Sequence, residues 1–205
     1  MSAHGQWDFG LSALTQAFRD VWTHETADEV VAAVASRHAR TLLADVFRLL
    51  ESPLPDWALM ALWQTATGRN YDLEYLGIDV RDWLRRVADI SHQRIAEEGA
   101  RPSSLPSSVR ADLSEDVLGE IRPVLAALDE STRQPPRRIS GVVASLEMVV
   151  AEVDPDLGFR LFLRSIAAYR VPITNGQFAR YRELGDRFGY GNHHFFDIDG
   201  LTDLD

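Results

Sequence analysis

Leu157 to Gly191 reads LGFRLFLRSIAAYRVPITNGQFARYRELGDRFGYG, and the spacing within it decides the fold class. Apolar residues recur at helical intervals on both sides of Val171-Pro172-Ile173, without the strict alternation of a strand. Pro172 ends the first helix, because the residue before a proline is pushed out of the α region. Thr174 caps the second helix, and Gln177 completes a capping box three residues later. Phe178, Tyr181, Leu184 and Phe188 line one face, and Gly189 stops the helix. The stretch therefore predicts two amphipathic helices joined by a tight hinge.

The same periodicity extends back through the chain. Leu14, Phe18 and Val21 share a face of a helix expected over Leu11 to Trp22. Thr26-Ala27-Asp28-Glu29 is a capping-box pattern opening a long run through Val30, Leu42 and Leu50, with a break expected near Ser36 and a stop at Pro53. Pro55 suits the first turn of the next helix and Gly68 its end, with Trp57, Leu59, Leu62 and Trp63 as apolar members. Tyr71 to Ile78 reads as a loop, after which Asp79 caps a helix carrying Trp83, Leu84, Val87 and Ile90. Ser114-Glu115-Asp116 opens a helix expected to kink at Pro123, and Val142, Leu146, Val149 and Val153 mark another. Asp154-Pro155-Asp156 reads as a turn. The class is all-α, a helical bundle.

Residues 99–108, GARPSSLPSS, are rich in Gly, Pro and Ser and read as a linker. All five tryptophans precede it. The expected organisation is a Trp-containing helical lobe over 1–98, the linker, and a helical lobe with an acidic tail over 109–205. A hinge within one helical domain is the alternative. At 205 residues the chain can bury a core without staples. It has no cysteine, which excludes disulfides, thiolate nucleophiles and zinc-thiolate sites. Neither a signal peptide nor a membrane-length apolar run is evident, so a cytoplasmic location without membrane association is expected.

The formal charge is −10, with the acids distributed over both halves. Such a surface repels phosphate backbones and steers basic partners. A helix-turn-helix reading of the Pro172 hinge would use Arg180, Arg182 and Arg187, but Glu183, Asp186 and the acidic tail oppose it, so no nucleic-acid partner is expected. His193-His194 with Asp197 and Asp199 is the cluster richest in ligand-type residues. Adjacent imidazoles in an extended segment point to opposite sides, and the calcium-loop glycine and closing glutamate are missing, so no metal is expected. Ser107-Ser108 and Ser140-Gly141 lack a nucleophile-elbow context, and there is no glycine-rich phosphate loop. The sequence gives no grounds for assigning catalytic residues or a cofactor. Asp79 to Arg86 concentrates charge at a helix start and reads as a solvated face with local ion pairs.

Val171 to Phe178 resembles the short Val-Thr-Asn-x-x-Phe motif of formylglycine-generating enzymes, but covers only those residues, and the cysteines of that family are absent. A broader likeness lies in Asp156-Leu157-Gly158, Ile166 to Tyr169, the Val171-Pro172-Ile173 step, and Tyr181-Arg182-Glu183-Leu184-Gly185 ending at Phe188-Gly189. Together these resemble MafI-type immunity proteins of bacterial polymorphic toxin and contact-dependent inhibition systems. Trp63 to Gly68 and Ile78 to Leu84 resemble helical immunity proteins more loosely. The resemblance implies a helical, non-enzymatic protein that binds and neutralises a cognate toxin domain, expected to be basic. Glu183, Asp186, Phe195, Asp197, Asp199, Asp203 and Asp205 are then the expected partner-binding residues. Phe195 and Phe196 have a second reading, in which they pack onto the C-terminal helices. A helical enzyme or ligand-binding protein with a pocket between lobes is the alternative function.

Overall fold

The helix Pro155–Tyr169 starts two residues before the stretch that predicts it, and it lies at the centre of the molecule. In the computed structural model, which describes residues 8–20, 26–97, 111–134, 138–190 and 195–202, the chain is all-α. Its helices are α1 (Gly10–Asp20), α2 (Ala27–Leu50), α3 (Asp56–Ala66), α4 (Val80–Glu97), α5 (Ser114–Thr132), α6 (Val142–Met148), α7 (Pro155–Tyr169), α8 (Asn175–Phe188) and α9 (Phe196–Asp199). A 3-10 turn, Ala111–Leu113, precedes α5, and a π-helical turn, Val149–Val153, joins α6 to α7. Among the described residues there is no sheet, only an isolated bridge between Ile173 and Thr202.

Several boundaries follow the local chemistry closely. Thr26 and Glu29 form a reciprocal capping box at the start of α2, and Thr174 and Gln177 do the same for α8. The break expected near Ser36 falls at His38, where φ −137° and ψ 23° interrupt the α2 geometry. Asp79 accepts from the Arg81 and Asp82 amides and so caps α4. Gly189 closes α8 with φ 83°, the left-handed conformation that a glycine adopts without a Cβ penalty. Helix α5 continues through Pro123 to Thr132. The linker expected at 99–108 lies outside the described residues.

Three expectations are corrected. Asp154-Pro155-Asp156 is a helix start rather than a turn before one: Asp154 is the N-cap, accepting from the Asp156 and Leu157 amides, and Pro155 takes the first helical position. Helix α7 presents no solvated face from Leu157 to Ile166: every residue there is buried, arginines included. Trp57, expected among the apolar members of α3, is 51 % exposed, whereas Leu59, Leu62 and Trp63 of the same helix are buried.

Around α7 the packing is continuous. Helices α1, α3 and α5 contact it directly, α6 packs on α3, and α2 pairs along its length with α4 and α1. Buried side chains from Leu11 to Ile198 join one hydrophobic cluster. Its aromatic part has two foci. Phe18, Tyr71, Trp63 and Trp83 meet edge-on or tilted near α3 and α4, and Phe159, Phe162, Tyr181, Phe188 and Tyr190 gather between α7 and α8.

Candidate functional site

The inward face of α8 is fixed by Tyr181, Leu184 and Gly185, which turns Glu183 and Asp186 to solvent. Helix α5 lies alongside and brings further acids. Arg180 pairs with Glu120 at 2.7 Å and Arg187 with Asp116 at 2.6 Å, tying the two helices together across the surface. Glu115, Asp116, Glu120 and Glu183 share the lining of an open cleft of about 340 Å³ with those two arginines. Both arginines are committed to carboxylates, so Glu115 and Glu183 set the sign of the rim.

The C-terminal segment has a different environment. Phe195 is 5 % exposed, with its ring against Phe178 and Tyr190. Gly185 makes room for it: a Cβ there would lie 2.4 Å from the Phe195 ring. Asp197 accepts through one oxygen from Gln16 at 2.9 Å, Arg19 at 3.1 Å and Arg164 at 2.6 Å. The neighbours of Phe195 and Asp197 are thus the protein's own α1, α7 and α8. Asp199 is exposed, and Asp203 and Asp205, like His193 and His194, lie outside the described residues.

Beneath this segment is a buried ionic network. Arg160 of α7 meets Asp45 of α2 through two parallel hydrogen bonds of 2.9 and 3.0 Å, and neither side chain touches solvent. The same guanidinium donates to Asp156, to the Phe9 carbonyl and to Ser12, and it lies 4.6 Å from the Phe9 ring centroid. Asp45 also accepts from the Leu11 amide at the start of α1. Gly10 permits that approach, since it has φ 62° and a Cβ there would lie 2.1 Å from the Asp45 carboxylate. Arg48 bridges Asp45 and Asp154, and Arg164 faces Asp8 at 3.3 Å.

Protonation follows from this packing. Burial pushes the Asp156 carboxyl up, but Arg160, the Tyr190 hydroxyl and Arg48 outweigh it and hold the group below the usual aspartate range. Asp154 is pushed up by burial, against the pull of Arg48. Tyr190 donates to Asp156 at 2.5 Å, and burial followed by that carboxylate keeps its hydroxyl protonated well above the ordinary tyrosine range. Removing one partner of the desolvated Arg160–Asp45 pair would strand charge in the interior.

Elsewhere, an enclosed apolar cavity bounded in part by Leu11, Leu59 and Leu161 measures about 10 Å³. Open clefts of about 600 and 470 Å³ flank the Arg138 to Gly141 segment. Among the described residues no group of three or more acids and histidines is arranged to hold a metal ion, and no helix is long and apolar enough to cross a membrane.

No family model, curated protein or solved structure matches this chain.

Sequence reading missed the ionic network. Arg160 and Arg164 lie four residues apart on the α7 stretch that carries Phe159, Leu161, Phe162 and Leu163. Arginines within so apolar a run are the available signal, because they must either reach solvent or find buried carboxylates. Asp156 lies one turn before Arg160, but the other partners, Asp8, Asp45 and Asp197, are remote in sequence, and nothing local marks them.

Proposed function

We propose that this chain is a non-enzymatic immunity, antitoxin-like protein that binds a cognate toxin domain of basic character and blocks it sterically and electrostatically. The observation that carries the reading is the open cleft between α5 and α8, where Arg180 and Arg187 pair with Glu120 and Asp116, Glu115 and Glu183 are left in excess, and Asp186 is exposed on α8. Charge complementarity of this kind accelerates encounter and disfavours acidic competitors. A net charge of −10 adds a long-range field of the same sign. The resemblance of roughly Ile139 to Gly191 to MafI-type immunity proteins supports the same assignment. The proposed place of action is the cytoplasm of the toxin-producing cell.

The test is co-expression with the toxin domain encoded beside this gene. The expected result is rescue of growth and a complex that weakens as salt is raised. Absence of both binding and rescue would reject the reading. Reversing Glu183 and Asp186 to arginine should slow association by about tenfold at low ionic strength with little effect on dissociation, measured by surface plasmon resonance.

A further inference from the structure

We infer that Asn175-Gly176, at the start of α8, is a self-modification site, where the glycine amide attacks the asparagine side chain and converts it to aspartate and isoaspartate. The chemistry needs only this chain and water. Its consequence for partner binding deepens the neutralisation reading and rests on it.

The chain has three asparagines, and Asn175 is the one followed by glycine. Both residues are exposed, and they take the first two positions of α8 after its cap, Thr174. First-turn amides have no carbonyl four residues back within the helix to bond. The bonds that close this end run elsewhere. The Thr174 amide donates to Gln177 Oε1 at 2.8 Å, the Gln177 amide to Thr174 Oγ1 at 3.1 Å, and the Phe178 amide to the Thr174 carbonyl at 3.0 Å. The Gly176 nitrogen is therefore outside the cap, and the missing Cβ leaves its approach unhindered. Glycine also weakens this turn as helix, so Asn175 reaches that nitrogen by opening one terminal turn rather than the fold.

Charge favours the attack. Arg180 holds Glu120 through Nε at 2.7 Å, and its Nη1 lies 3.4 Å from the place a Gly176 Cβ would take. A guanidinium there, with the positive end of the helix dipole, stabilises the anionic amide nitrogen and the oxyanion that develops at Asn175 Cγ. Asn70 has the opposite setting. Its side-chain amide donates to the Arg19 carbonyl, and the next residue, Tyr71, packs its ring against Phe18 and Trp83.

The Gly176 nitrogen gives its proton to solvent and bonds to Asn175 Cγ. The Cγ–Nδ2 bond then breaks, and ammonia leaves with a proton from solvent, closing a succinimide ring. Water opens the ring at Cγ to give aspartate, or at the main-chain carbonyl to give isoaspartate. Either product carries a new carboxylate on the exposed strip that continues at helical spacing through Ala179, Arg182 and Asp186. Isoaspartate also adds a main-chain methylene between Thr174 and Gln177, lengthening the interval that the reciprocal capping bonds span.

The test incubates the full, folded chain at mildly alkaline pH and maps its tryptic peptides, with isoaspartate read by methyltransferase labelling and a zero-time digest as the blank. The peptide Val171 to Arg180 should split into asparagine, aspartate and isoaspartate forms while the peptide carrying Asn70 stays unmodified. Gly176→Ala, whose Cβ meets only ordinary van der Waals contacts, should abolish the conversion, and Arg180→Gln should slow it. Conversion confined to chain unfolded in guanidinium chloride, conversion of Asn70 at the same rate, or undiminished conversion in Gly176→Ala would overturn the inference. An unchanged rate in Arg180→Gln would overturn the part given to the guanidinium. Binding is read separately with Asn175→Asp, which carries the charge without isoaspartate and should associate faster with the adjacent toxin domain at low ionic strength. If that domain binds neither form while Asn175 converts, the function is wrong and the modification stands. If it binds while Asn175 stays intact, the modification is wrong and the function stands.

Discussion

Arg160 is placed where an arginine is tolerated only with full compensation. Five side-chain N–H groups meet Asp45, Asp156, Ser12 and the Phe9 carbonyl, and the guanidinium is shielded from solvent. Arg160→Met keeps much of the volume but leaves the buried Asp45 with only Arg48 and the Leu11 amide as partners, and should cost about 3 kcal/mol in urea denaturation. Arg187→Met breaks a surface pair with Asp116 and should cost no more than about 1 kcal/mol. The buried tyrosines give a pH signature. Burial, then the Glu120 carboxylate, raises the Tyr181 hydroxyl, and burial with Asp156 raises Tyr190. Both are held protonated in the folded state, so their contribution is complete below the unfolded tyrosine value near pH 10 and is lost as pH rises from there toward the folded values. Between about pH 10 and 11.5, unfolding free energy should fall by up to about 1.4 kcal/mol per pH unit for each tyrosine. Tyr181→Phe should remove one such increment from the slope, measured by urea denaturation across that range.

At the scale of elements, the junction from α6 through the π-turn to α7 joins two different packing demands. The turn carries Val149 and Val150 into the core, and Gly158 of α7 lies against the Val150 backbone. A Cβ on Gly158 would lie 2.4 Å from Val150 Cγ2 and 3.1 Å from its Cα, so relief requires backbone movement. Gly158→Ala should therefore destabilise by about 1–3 kcal/mol by overpacking, despite alanine's better helix propensity. Sequence spacing hides this turn, because Val149 and Val153 fit the ordinary helical period. The capping boxes at Thr26 and Thr174 were legible because cap and partner lie three residues apart. Trp57 was read as apolar helix and is half exposed, since composition alone does not say which turn of α3 outruns the core. Of the candidate site, exposed Glu183 and Asp186 follow from their place opposite Tyr181 and Leu184. The partners of Asp197 do not, because Gln16 and Arg19 are almost the whole chain away.

Across the whole molecule, α7 links residues from both sides of the 99–108 stretch. It packs on α1, α3 and α5, while Asp197 joins α7 to α1 through Arg164, Gln16 and Arg19. Burial shared this widely makes unfolding of one half costly to the other, which is the physical basis of a single cooperative transition. Tryptophan placement supplies a direct probe. All five tryptophans precede residue 99, and buried Trp63 and Trp83 stand 5.4 Å apart, centroid to centroid, in the α3–α4 region. Their fluorescence reports that region, whereas far-UV circular dichroism reports every helix. Gly158→Ala lies far from these tryptophans in sequence, in the C-terminal half. In urea, the wild type should give coincident fluorescence and dichroism transitions, and Gly158→Ala should move both midpoints to the same lower concentration with the denaturant slope unchanged. If fluorescence keeps the wild-type midpoint while dichroism splits into two steps, the halves unfold separately and α7 does not couple them.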